Sequence, residues 1–157
     1  MRKRIIGHGT RDVQADEPGW LDIERLAQVE ITSEVVGHPI ESALIPGTGS
    51  GWRAAQPGEQ TIRLRFDEPL RIKRIRLVFH EDDHERTQEF VLRWSPDGGQ
   101  SYREILRQQY NFSPPAATRE VEDYNIDLAG VTVLELRIVP DISGGTAKAS
   151  LAQLRVA

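Results

Sequence analysis

The residues best equipped for chemistry are His80-Glu81-Asp82-Asp83-His84, a literal H-E-x-x-H. In a zinc protease these histidines lie one helical turn apart and grip the metal, while the glutamate activates water. That chemistry needs a helix. Here the motif follows residues 70–79, which alternate at strand period, and its middle is doubly acidic. A solvated turn is therefore expected, with a metal-dependent hydrolase using His80 and His84 as the lesser alternative. Ser50 in Gly49-Ser50-Gly51 lacks the full G-x-S-x-G elbow and its strand-to-helix setting. Carboxylate pairs such as Glu120 with Glu122 or Asp123 with Asp127 have the groups for acid–base work. In a chain with 24 acidic residues they are expected to be surface charge, and no catalytic residue is assigned. The glycine-rich stretch 46–52 lacks the Gly-Lys-Ser/Thr ending of a phosphate cradle, and no helix follows it. Its glycines are expected to allow positive-φ turns around Trp52.

The elements that must position these groups are strands. Residues 88–105 carry the strongest hairpin signal: Phe90, Leu92 and Trp94 alternate on one face, Tyr102 and Ile105 anchor the return, and Ser95-Pro96-Asp97-Gly98-Gly99 supplies turn chemistry. Upstream, Trp20, Ile23 and Leu26 sit at helical spacing, and Trp20 is expected to be a packing anchor. From Gln28 the period changes to two, giving a first strand through Val29 and Ile31, with a short apolar run at 39–45. Further strands are expected at 61–66 and 70–79, separated by an Asp67-Glu68-Pro69 turn, and at 108–112, ending at Pro114-Pro115. Three more follow at 120–128, 133–139 and 151–156, with turns at Ala129-Gly130 and 141–145. Eight or nine strands at these intervals, with no interior helix, predict an all-β, eight-stranded antiparallel jelly-roll β-sandwich preceded by a short N-terminal helical turn. The domain reading is an N-terminal arm with a short helix over 1–25 and a jelly roll over 26–157.

A chain of 157 residues can bury a core without metal or disulfide staples. Cysteine is absent, which excludes disulfides and thiol chemistry. The start, Met-Arg-Lys-Arg-Ile-Ile-Gly-His-Gly, lacks the apolar core of a secretion signal, so a cytoplasmic location is expected. No stretch approaches the roughly 20 apolar residues of a membrane span, and no membrane partner is expected. A net charge of −4 and a pI near 5.6 argue against nucleic acid as a partner. The basic residues Arg63, Arg65, Arg71, Lys73, Arg74 and Arg76 alternate with apolar ones, the pattern of a solvated sheet face.

The order of signals resembles the discoidin family, also called the coagulation factor 5/8 type C or galactose-binding-like domain. The resemblance runs from Leu26-Ala27-Gln28-Val29-Glu30-Ile31-Thr32-Ser33-Glu34, through Gly51-Trp52-Arg53-Ala54 and the strand from Glu59 to Phe66, to the Ile72–Leu77 segment. It continues with the Ser95-Pro96-Asp97-Gly98 hairpin and the two final strands around Leu134-Glu135-Leu136-Arg137-Ile138 and Leu151-Ala152-Gln153-Leu154-Arg155-Val156. It implies a jelly roll whose loops at one end bind glycans, other small polar ligands or protein partners. It also implies a structural calcium in many members, held by an aspartate before the tryptophan and a glutamate near the last strand. This chain has Ile45-Pro46 and Gln153 near those positions, so calcium binding is expected to be weak or absent, and no cofactor is assigned.

A sugar site needs planar donors and acceptors for hydroxyls and an aromatic face for C–H surface. The loop ends opposite the hairpin turn offer Trp52, Arg53, His80, His84, Arg86, Tyr110 and Asn111, with Phe112 beside them. These seven are the candidate ligand-binding residues. The expected function is a non-enzymatic module binding carbohydrate or another small polar ligand. An intracellular protein–protein interaction adaptor is the alternative.

Overall fold

The computed structural model describes residues 19–157. The expected arm at 1–18 lies outside them, but the helical turn is present as α1 (Ile23–Leu26). Ile23 is buried, Leu21 N–H donates to Val156 O at 2.7 Å, and the Arg74 guanidinium sits 4.7 Å above the Trp20 ring. The turn thus packs on the end of the chain.

Eight strands follow: β1 (Ala27–Ile31), β2 (Trp52–Pro57), β3 (Gln60–His80), β4 (Arg86–Ser95), β5 (Arg103–Phe112), β6 (Arg119–Val139), β7 (Lys148–Leu151) and β8 (Gln153–Val156). The organising unit is an antiparallel ribbon of the 21-residue strands β3 and β6, paired from Gln60↔Ile138 to His80↔Arg119. One half of it lies in the order β1-β3-β6-β4-β5, and the other half of β3 pairs with β8. Strands β2 and β7 form a separate two-stranded sheet. Ile62, Leu64, Phe90, Leu92, Leu134 and Leu136 from one layer join Ile75, Leu77, Phe79, Leu154 and Val156 from the other in one core. The antiparallel β-sandwich is the expected class.

Four local expectations are corrected. Asp67-Glu68-Pro69 does not end a strand, and neither does Ala129-Gly130. Both lie where the β3–β6 register shifts, so the ribbon bends between layers instead of breaking. Conversely, 151–156 is two strands. Ala152 N–H donates to Val78 O at 2.8 Å, and the chain there passes from the β2–β7 pair to the β3 edge. The apolar run at 39–45 contains a helical turn, α2 (Glu41–Leu44), against the expectation of no interior helix, because Ile40, Ala43 and Leu44 bury one helical face.

The hairpin turn is held by side chains. Ser95 Oγ donates to Asp97 Oδ1 at 2.6 Å and accepts from Gly99 N–H at 2.8 Å, while Ser101 N–H and Oγ donate to the same carboxylate. Those bonds, the Ser101 and Ser95 hydroxyls first, hold the Asp97 pKa at about 2. The alternating basic face is solvated as expected, but it is also ordered. Glu30, Arg63, Glu135, Arg93 and Glu104 stand in cross-strand register on β1, β3, β6, β4 and β5. Arg63 Nε and Arg93 Nη2 bond the two oxygens of Glu135 at 2.8 and 2.7 Å, and the Glu135 side chain is fully buried beneath them.

Candidate functional site

The 81–85 loop is shaped by Glu81. Its Oε2 accepts the N–H groups of Asp83 (2.9 Å) and His84 (3.0 Å), and its Oε1 accepts Arg86 Nε at 2.7 Å. Burial acts to raise the Glu81 pKa, but the Arg86 bond and the two backbone donors outweigh it and hold the carboxyl below its ordinary value. This glutamate is therefore occupied as a structural acceptor. The H-E-x-x-H motif lies on a strand end and a loop, with no helix to place its two histidines on one face.

Arg86 is buried at the start of β4. Its Nη1 donates to Pro140 O at 2.7 Å and to Gln88 Oε1 at 3.2 Å, and its guanidinium lies 4.7 Å from the Phe112 ring centre. Its Nη2 is buried without a partner. The Pro140 bond ties the 81–85 loop to the 141–147 loop, which is docked by Ile142 N–H donating to Thr87 O at 2.9 Å. Within that loop the Ser143 hydroxyl and N–H bond Asp141, and they hold its carboxyl below the ordinary range.

Between these loops and β2 and β7 lies a cavity of about 380 Å³, whose lining includes Arg53, Asp83, His84, Arg86, Gly145 and Lys148. A second cavity of about 490 Å³ shares Glu85, Arg86 and Asp141 with it and reaches Thr87, Asn111 and Ser143. Thr87 Oγ1 donates to Asn111 Oδ1 at 2.7 Å and holds that amide at the rim. Arg53, His84, Arg86 and Asn111 therefore gather around one two-lobed cleft at the end of the roll opposite the hairpin turn.

The other three candidates are placed elsewhere. Trp52 is 1 % exposed, packs in the core and donates its indole N–H to Ser33 O at 2.9 Å, so it has no face for a ligand. Strand alternation explains the error: Trp52 faces inward, and its neighbour Arg53 faces the cleft. Tyr110 donates its hydroxyl to Arg119 O at 3.0 Å and packs edge-on to Phe112, away from both cavities. His80 ends β3 outside the lining. Asp141, Thr146 and Lys148 were missed. Asp141 and Thr146 lie in Asp-Ile-Ser-Gly-Gly-Thr, which is legible only as a turn, and Lys148 opens β7 two residues on; nothing local says that they fold beside the 81–85 loop.

Below the cleft a polar line crosses between the layers. Gln88 Nε2 donates to Glu120 Oε1 at 3.1 Å, and both side chains are buried. Burial first, then the adjacent Glu122 carboxylate, push the Glu120 carboxyl up to about 9, against the pull of Gln88 and Arg86. The folded chain thus keeps a proton that the unfolded chain releases above the ordinary carboxylate pKa. The stability contributed by this group is fully present below that ordinary value and is lost as pH rises toward about 9, beyond which the loss levels off. In melting curves across this range Glu120→Gln is expected to flatten the decline; an unchanged slope would mean that the proton is held elsewhere.

The calcium that the resemblance implies does not fit the residues present. Ile45 and Gln153 offer no carboxylate, and the carbonyls of Glu41 and Ile45 both lie within hydrogen-bond reach of the Thr48 hydroxyl.

No protein-family model and no curated protein matches the chain. Solved structures match its fold. A pectin-binding carbohydrate-binding module superposes with a TM-score of 0.59 at 14 % identity, over 83 % of this chain and 89 % of that one. The family 32 carbohydrate-binding module of Clostridium perfringens NanJ, in complex with galactose, gives 0.60 at 16 % identity over 87 % and 96 %. The corresponding module of AlyQ, in complex with 4,5-unsaturated mannuronic acid, gives 0.54 at 15 % identity over 84 % and 95 %. The chain therefore shares the antiparallel β-sandwich fold of these modules.

Proposed function

We propose that the chain is a non-catalytic carbohydrate-binding module whose ligand sits in the cleft between the 81–85 and 141–147 loops. The observation that carries this reading is the convergence of Arg53, His84 and Lys148, with buried Arg86 fixed behind them, on one cavity of about 380 Å³, within the roughly 300–1,000 Å³ usual for small-ligand sites. Guanidinium, amide and carboxylate groups pair well with sugar hydroxyls, and Asn111 and Asp141 extend the set along the second lobe. The complexes of similar folds with galactose and mannuronic acid support a sugar in particular. The first lobe has no aromatic lining, and Phe112 in the second is fully buried, so hydrogen bonds rather than ring stacking carry the affinity.

Calorimetric titration with galactose and with pectin- and alginate-derived sugars is the test. One of these is expected to bind; Arg53→Ala should weaken it about tenfold, the worth of one charge-assisted hydrogen bond, and Asn111→Ala about fivefold, the worth of a neutral one. Both side chains are exposed, so the melting temperature should not move. Failure of every sugar on a glycan array would sink the carbohydrate reading.

A further inference from the structure

We propose that Arg155 is the built-in cation that closes the 40–51 loop, and that the loop therefore folds without a divalent metal. The side chain comes from β8, is 8 % exposed, and reaches 112 residues back along the chain to donate from Nη1 to Ala43 O at 2.8 Å. The same nitrogen donates to Leu154 O at 3.0 Å. Among the described residues no carboxylate pairs with it; its hydrogen-bond partners are carbonyl oxygens, the ligands a hard cation would seek.

The arrangement follows from the shape of the loop. A four-residue helix such as α2 satisfies only its first carbonyls internally, Ile45 N–H donating to Glu41 O at 2.9 Å, and leaves the later ones open. Arg155 takes that of Ala43, and the Thr48 hydroxyl lies 3.0 and 2.6 Å from those of Glu41 and Ile45. The far end of the loop is pinned against the same part of the chain. Gly51 has φ +107°, and a Cβ there would lie 2.6 Å from Leu151 O and 2.8 Å from Ala152 Cα. Both ends of the loop thus rest on the β7–β8 passage, one by close backbone contact and one by a guanidinium. A metal ion beside Ala43 O would face that fixed positive charge with no carboxylate from Ile45 or Gln153 to offset it.

The test is thermal melting and hydrogen exchange of the full chain with excess calcium or excess EGTA. The wild-type melting temperature is expected to be the same in both, and calorimetric titration with calcium chloride should show no heat beyond dilution. Arg155→Met, which keeps the stem and removes the charge, should lower the melting temperature and speed exchange across 41–51, and Arg155→Lys should fall between. A wild-type protein stabilised by calcium or destabilised by EGTA would overturn the proposal. So would an Arg155→Met variant that melts and exchanges like the parent. If the methionine variant fails to fold, the lysine variant and the wild-type metal comparison still decide.

Discussion

Glu135→Ala is expected to lower stability by about 3 kcal/mol, because it strands two guanidinium groups around the hole it leaves. Glu135 is fully buried on the outer face of the five-stranded layer, with Arg63 and Arg93 on its two oxygens. Those arginines keep 38 % and 28 % of their side-chain exposure and can turn back toward water, which places the loss at the low end for breaking a buried ion pair. For a chain of this size, about 3 kcal/mol corresponds to a fall of roughly 9 °C in melting temperature. Glu135→Gln retains the shape and one acceptor, and should cost about half as much. Urea titration of the three proteins checks the series. An alanine variant within about 0.5 kcal/mol of the parent, the scatter of ordinary surface substitutions, would show that the rung is ornamental.

The second large effect is at Trp52. Trp52→Ala should cost about 4 kcal/mol, the loss of a large ring from a site with 1 % exposure. Trp52→Phe keeps most of the packing and loses the indole bond to Ser33 O, a loss of about 1–2 kcal/mol. Ligand affinity separates core from site: Trp52→Phe should bind as the parent does, whereas Arg53→Ala should not. If the phenylalanine variant folded normally but lost binding, Trp52 would belong to the cleft after all.

The hairpin at 88–105 was legible because its information is local. Alternation at Phe90, Leu92 and Trp94 meets turn chemistry at Ser95 to Gly99, and the structure places them accordingly. Local reading failed where a segment's role depends on a distant partner. Proline and glycine at 69 and 130 looked like strand ends, but the β3–β6 pairing carries the ribbon through both bends. Ala152 carries no break signal, but the change of pairing partner divides the last strand there. The cleft shows the same division. Arg86 and His84 could be nominated from the charged loop that contains them, whereas Asp141 joins them through the Pro140 O–Arg86 and Ile142–Thr87 bonds and Lys148 through the β2–β7 pairing.

By itself, then, the sequence determined the antiparallel class, the hairpin, the alternating charged face and the loops that would carry polar groups, since period and turn residues act over a few neighbours. Tertiary structure alone decided that Trp52 faces inward and Arg53 outward, that Glu81 serves Arg86, and that Arg155 reaches Ala43. Each of these depends on where a long side chain finds an oxygen or a hydrophobic wall after the layers have packed.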